Sequence, residues 1–152
     1  MTVNKTVLCR VCGSIVSEKN HLFYCQSENC SAVFWDKSAI KKIKKNLRED
    51  TKFKKGFLVE AGVPIDNTEG HFVYKLRLRG QINSIYVGLT GLHPHERYLN
   101  HLIGYRAARR PKKFATSFIG FEGPMEYEKA KKREPELAQE LRECGYKVWG
   151  GH

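Results

Sequence analysis

Residues 71–79 alternate strictly, with Phe72, Tyr74, Leu76 and Leu78 on one side and Val73, Lys75, Arg77 and Arg79 on the other. A period of two is the signature of a strand, here with one apolar face and one mostly basic face. Turn formers at 80–84 and a short apolar run at 85–89 complete a predicted hairpin. The pattern then shifts to helical spacing over 95–108, where Tyr98, Leu99, Leu102, Ile103 and Tyr105 gather on an inner side. Residues 115–121 read as a third strand, 125–143 as a second helix with Gly145 suited to its C-cap, and 146–150 as a short terminal strand. The order ββαβα predicts an α+β fold in which a small antiparallel or mixed three-stranded sheet is flanked by helices. Upstream, Ser38 is the expected N-cap of a helix over 39–49. Ile40, Ile43 and Leu47 form its apolar stripe, leaving Lys41, Lys42, Lys44 and Lys45 on the other faces. Residues 60–71, rich in turn formers, read as a loop.

Composition divides the 152 residues into three segments: a cysteine-rich module at 1–36, a basic helix and linker at 37–70, and the patterned domain at 71–152. The net charge is +11, and its distribution is uneven. Residues 37–55 carry nine Lys/Arg against two acids, and 96–113 carry six against one. Two basic stretches of this strength favour the phosphates of nucleic acid over a membrane surface as the partner. No apolar run approaches the length of a membrane span, and the first residues lack a secretory pattern. The expectation is a cytoplasmic protein.

Four of the five cysteines fall in the first segment as Cys9-x2-Cys12 and Cys25-x4-Cys30, twelve residues apart. Two short pairs on two turns can present four thiolates to one ion, a set that suits tetrahedral Zn²⁺ and leaves no open position for a catalytic water. This zinc is expected to be structural, and a segment this short depends on the metal for folding free energy. His21 lies between the pairs but is not needed as a ligand, and Cys144 is expected as a buried thiol at a helix end. The segment resembles zinc-ribbon modules, including those appended to bacterial topoisomerases.

The tyrosine tripeptides carry the most specific chemistry. Phe72-Val73-Tyr74 and Tyr86-Val87-Gly88 are followed in order by Thr90, Arg97, His101 and Glu134. This ordered set resembles the GIY-YIG nucleases over residues 71–152. The resemblance implies that Tyr74 and Tyr86 share a site on neighbouring strands, where one of them activates or orients the attacking water. A phenol titrates near 10, so such a role calls for nearby cations, with Lys75, Arg77, Arg97 and Lys112 as candidates. Arg97 is expected to stabilise charge on the transition state with its planar fork. His101, one helical turn on, is expected to assist proton movement or to contact phosphate.

Glu134 corresponds to the family's metal-binding glutamate, and one carboxylate plus water and phosphate oxygens suits Mg²⁺ or Mn²⁺. Glu126, Glu128 and Glu136 compete with it, and Pro135 directly after it predicts that the helix restarts there. The terminal Tyr146 and Gly150-Gly151 match the family's closing segment, while Lys147 replaces its asparagine and Phe72 its first glycine. Gly88 is expected where the backbone needs close approach or unusual dihedrals. His93-Pro94-His95 reads as a loop rather than a metal site.

Together these features predict a metal-dependent endonuclease that hydrolyses phosphodiester bonds of nucleic acid, with DNA favoured over RNA. The zinc module would aid binding, together with Lys41, Lys42, Lys44, Lys45, Lys75, Arg106, Arg109, Arg110 and Lys147. The alternative is a zinc-ribbon nucleic-acid-binding protein that does not cut. No oligomeric state follows from the sequence.

Overall fold

A computed structural model describes residues 7–30, 32–63, 69–79, 83–106 and 115–151. In these residues the chain forms strands β1 (Val16–Lys19), β2 (Leu22–Cys25) and β3 (Val33–Trp35), then helices α1 (Lys37–Glu49) and α2 (Thr51–Glu60). The central hairpin β4 (His71–Leu78) and β5 (Ser84–Thr90) follows, then helix α3 (Pro94–Ile103) and the long strand β6 (Ala115–Met125). Helix α4 (Tyr127–Glu143) and strand β7 (Lys147–Gly150) close the chain.

The sheet has seven strands among the described residues, in the order β1-β2-β3-β6-β4-β5-β7, and not the expected three. The three expected strands are its centre, β6-β4-β5. The cysteine-rich segment extends one edge through the single pair Val33↔Phe118 between β3 and β6. The other edge gains β7, which runs parallel to β5 from Ser84↔Lys147 to Val87↔Gly150, whereas every other pairing is antiparallel. The sheet is therefore mixed, and the fold is α+β.

Alternation along β4 divides the core in two. Tyr74, Leu76 and Leu78 face a cluster with Trp35, Leu47 and Leu58, covered by α1, α2 and α3. Val73 faces the other side, where Ile85 and Val87 pack against Ala130, Leu137 and Ala138 of α4. The hairpin is thus sandwiched between two helical layers, and β4 is buried except at His71, Lys75 and Arg77, which are half-buried.

Local chemistry corrects several boundaries. The cap of α1 is Asp36 rather than Ser38: its carboxylate accepts from Ser38 N at 3.0 Å and Ala39 N at 3.3 Å. A carboxylate at that position also complements the helix dipole. Asp50 caps α2 in turn, accepting from Phe53 N at 3.0 Å. Helix α3 stops at Ile103, short of the expected 108, because Gly104 adopts a left-handed conformation there (φ 76°). Helix α4 does not restart at Pro135 but runs through it. It ends as expected at Gly145 (φ 95°), where Gly145 N donates to Arg142 O and Tyr146 N to Leu141 O, the Schellman pairing. Cys144 beside it is exposed, not buried, because the helix end projects from the sheet.

Side chains fasten the first three strands to the helical layer. Trp35, fully buried, stacks on Phe57 of α2 at 5.1 Å between ring centroids. Asn20 donates to Phe57 O at 2.7 Å, and the Tyr24 hydroxyl donates to Ala61 O. Trp35→Ala is expected to lower the unfolding free energy by about 3–5 kcal/mol, as for other buried large-to-small aromatic changes. Urea titration followed by circular dichroism checks it, and a loss below about 1 kcal/mol contradicts this packing.

Candidate active site and metal centre

The two tyrosines lie on the same face of adjacent strands, where Tyr74 opposes Gly88 and Tyr86 opposes Leu76. The Tyr74 ring lies flat across Gly88: a Cβ there would be 2.5 Å from Oη and 2.8 Å from Cε1. The glycine is needed for close approach and not for a left-handed backbone. This packing aims the Tyr74 hydroxyl at α3, where Oη and His101 Nε2 are 2.7 Å apart. Both residues are almost wholly buried. The ring of Tyr86 completes the group, 6.2 Å from Tyr74 and 5.7 Å from His101 between centroids, and it alone of the three is partly exposed.

Hydrogen-bond capacity fixes the order of protons. Among the described residues His101 Nδ1 is buried with no partner, and an orphaned acceptor is tolerated better than an orphaned N–H. The proton therefore resides on Nε2 and is donated to Tyr74 Oη. Burial, and then the nearby Arg97 charge, depress the His101 pKa to about 3, so the ring is neutral. Burial raises Tyr74, and the Arg97 guanidinium within hydrogen-bonding reach of its hydroxyl pulls the other way. Tyr86 is also raised by burial, and the Arg97 charge and then the neighbouring Tyr74 side chain pull the other way.

Arg97 sits on α3 one turn before His101, and its Nη1 donates to Arg106 O at 2.8 Å. Among the cations considered for lowering the tyrosines, Arg97 acts on both. Lys75 projects from the opposite face of β4, over Gly120, and Arg77 shares that parity. Lys112 lies outside the described residues.

Glu134 is buried in α4, whereas its competitors Glu126, Glu128 and Glu136 are exposed. Its charge acts on both Tyr74 and Tyr86, opposing their ionisation. The route to it is opened by the terminal glycines. A Cβ on Gly150 would lie 3.1 Å from Tyr86 Cε2, and one on Gly151 would strike Ala138 Cβ. The chain between Tyr86 and α4 has room for backbone alone.

Tyr74, Tyr86 and His101 therefore form one cluster on which the Arg97 charge acts, and the buried Glu134 carboxylate is near enough for its charge to act on both tyrosines. Other expected positions do not join it. Lys147 is exposed on β7 with Nζ 5.1 Å from the Trp149 ring. Arg106 is exposed at the end of the helical segment, with its guanidinium over Tyr105, while Arg109 and Arg110 lie outside the described residues. Thr90 is buried, and its hydroxyl accepts from Leu92 N at 3.0 Å, a turn-forming role. His93 caps α3 by accepting from His95 N at 3.2 Å, and His95 stacks on Phe118 at 4.4 Å.

Sequence reasoning missed Lys54. It is buried in α2, donates to Asn100 Oδ1 at 2.6 Å and pairs with Glu96 at 3.3 Å, tying α2 to the turn of α3 that carries Arg97. A lysine within a basic run gives no sequence signal of burial.

The second centre is the thiol cluster. The sulfurs of Cys9, Cys12, Cys25 and Cys30 all lie within 4.8 Å of one another, with Cys9–Cys30 at 3.8 Å and Cys12–Cys25 at 3.4 Å. Thiolates bonded at about 2.3 Å around a tetrahedral ion stand about 3.8 Å apart, so the set fits zinc. The separations are too long for disulfides, and all five cysteines are free. Two backbone amides point at sulfur, Val11 N to Cys9 and Ser27 N to Cys25, each at 3.4 Å. Gly13 (φ 77°) closes the first turn by donating to Cys9 O at 2.9 Å. No family model, curated protein or solved structure matches the chain.

Two outcomes are expected. One zinc per chain will be found by elemental analysis, and a strong chelator will lower the thermal midpoint of the native chain but not that of Cys12→Ser/Cys25→Ser; equal midpoints with and without chelator in the native chain contradict a structural metal. Acid will also destabilise the fold. Burial holds His101 near 3 and, with the neighbouring His93, His95 near 4, against 6.5 when unfolded. Below about pH 6.5 the unfolded chain binds protons that the folded chain refuses. Stability is thus fully present above that pH and is lost as pH falls toward 4. Thermal midpoints at pH 7.5 and 4.5 will differ less in His95→Phe than in the native chain; an equal fall in both contradicts it.

Proposed function

We propose that the chain is a metal-dependent endonuclease of the GIY-YIG type that hydrolyses phosphodiester bonds, with DNA as the favoured substrate. The observation that carries this reading is the cluster of two tyrosines and a neutral imidazole from β4, β5 and α3, on which the charges of Arg97 and the buried Glu134 act. These side-chain types together suit stabilisation of a pentavalent phosphorus bearing extra negative charge.

Each side chain has a distinct task. Tyr86, the exposed hydroxyl, orients the attacking water. Tyr74 is too buried to touch substrate, so it serves as the fixed donor that holds the Tyr86 oxygen in place. His101 is a positioning residue: its Nε2 proton anchors Tyr74. Arg97 places N–H donors on the phosphate oxygens. Glu134 has the chemistry of a single-carboxylate Mg²⁺ or Mn²⁺ ligand, and an ion held there would neutralise the scissile phosphate and stabilise the leaving 3′-oxygen. Water oxygen bonds to phosphorus as the bond to the 3′-oxygen breaks, leaving a 5′-phosphate and a 3′-hydroxyl.

The thiol cluster supports the binding half of this reading. With zinc in place it would hold the short β1–β3 edge rigid and present Arg10, exposed between Cys9 and Cys12 with its guanidinium 4.5 Å over Phe34, toward phosphate.

Labelled duplex, single-stranded and branched DNA, and RNA, will be incubated with the chain in Mg²⁺ or EDTA. The expectation is metal-dependent cutting that is abolished in Glu134→Gln and reduced about 10²–10³-fold in Arg97→Ala, the cost of removing one preorganised charge-stabilising donor. Binding without products across Mg²⁺ and Mn²⁺ would instead favour a zinc-ribbon nucleic-acid-binding protein.

A further inference from the structure

The lysines of α1 are not equivalent. The helix advances 100° per residue, so Lys37, Lys41, Lys44 and Arg48 fall within about 60° of one another, in a stripe about 16 Å long. This stripe stands roughly a quarter turn from the buried Ile40 and Leu47, where α1 rises from its contact with α3. Lys42 and Lys45 lie farther round and are fully exposed.

Two concavities border the stripe. The first, about 270 Å³, has Lys37, Lys41 and Lys44 as one wall and Ile40, Leu102 and Ile103 as an apolar floor. The second, about 250 Å³, lies at the α1–α2 junction, and its cations are Arg48, Lys54, Lys55, Arg97 and Arg106. Its one carboxylate, Glu96, is already paired with Lys54. Arg97 belongs both to this second concavity and to the tyrosine site. At the opposite end, Lys37 is partly buried, and its charge is opposed by burial and then by Arg79 of the β4 end and Arg10 of the thiol module. Three segments distant in sequence thus bring like charges together, an arrangement that an anion relieves.

We propose that the groove between α1 and α3 is the track for one strand of the DNA backbone, entering at Arg10, Lys37 and Arg79, passing along Lys41, Lys44 and Arg48, and delivering a phosphate to Arg97. Lys41, Lys44 and Arg48 follow one another along the stripe, so that each can meet one backbone phosphate. The apolar floor receives sugar while the lysine wall contacts phosphates. This deepens the nuclease reading and rests on it, and it makes the lysines of one helix unequal where composition alone makes them alike.

The test compares two charge-matched triple variants of the full chain, Lys41→Ala/Lys44→Ala/Arg48→Ala against Lys42→Ala/Lys45→Ala/Lys52→Ala. Both are built on Glu134→Gln so that binding is read without cutting. Binding of a fluorescent DNA oligonucleotide is measured from 50 to 200 mM salt by anisotropy, with thermal melts confirming that each variant is folded. The stripe variant is expected to lose about 2–3 from the slope of log K against log salt, at about 0.9 per phosphate contact. The control should lose less than about 1, and Lys41→Arg/Lys44→Arg should retain the parental slope. Equal losses in the two triple variants overturn the track while leaving the nuclease reading intact. Cutting that fails while the stripe variant alone loses slope removes the nuclease reading and keeps the track. A parent that does not bind DNA overturns both.

Discussion

The site depends on one close approach: the Tyr74 ring lying across the Cα of Gly88. Any side chain at 88 would occupy the ring's place, so the only cross-strand partner this tyrosine can have is a residue with no side chain. With the ring held flat, its hydroxyl is aimed at His101 on α3. That bond fixes the turn of α3 carrying Arg97 and sets Tyr86 beside them. The packing of a strand pair thus determines the positions of polar atoms on a helix. The double glycine at the end of β7 repeats the device on the other side, packing bare backbone between Tyr86 and Ala138 of α4.

Burial and charge are divided between two regions. In the tyrosine cluster, burial keeps Tyr74 and His101 uncharged, so the polar atoms there act as fixed dipoles with assigned protons. Dipoles fixed in advance need no reorganisation as charge develops, which is the condition for strong electrostatic stabilisation. The unburied cations are kept apart, on the exposed flank of α1 and around the second concavity. Arg97 is the point of contact between the two regions. Arg133 shows the contrast on the far face: it is held by Glu122 at 2.8 Å and Glu140 at 2.7 Å, a fully neutralised surface cation with a purely structural role between β6 and α4.

Much of this was legible in the sequence because the signals are long or chemically strict. Eight alternating residues define β4, and four cysteines in two close pairs define the thiol cluster. What was not legible had little sequence to carry it. Strands β1–β3 are three or four residues each, too short for alternation, and their union with the sheet rests on one pair, Val33↔Phe118. Helix α2 was hidden by its lysines, because Lys54 reads as surface although Asn100 and Glu96 compensate its burial. Asp36 and Ser38 are both good caps two residues apart, and only the folded backbone chooses between them. Tyr74 and Tyr86 were recognisable as a pair, but their different depths, which separate a holder from a water-facing hydroxyl, depend on which flank of the sheet α3 covers.

The most direct test of the central claim follows the oxygen atom. Mg²⁺-supported cutting of a defined DNA in water enriched in ¹⁸O, with the fragments weighed by mass spectrometry, reads both the reaction and its direction. The account predicts one ¹⁸O in each new 5′-phosphate and none at the 3′-hydroxyl. Fragments ending in 3′-phosphate, or a 5′-phosphate without the label, would contradict attack by a water oriented at Tyr86, and intact DNA would contradict the nuclease itself.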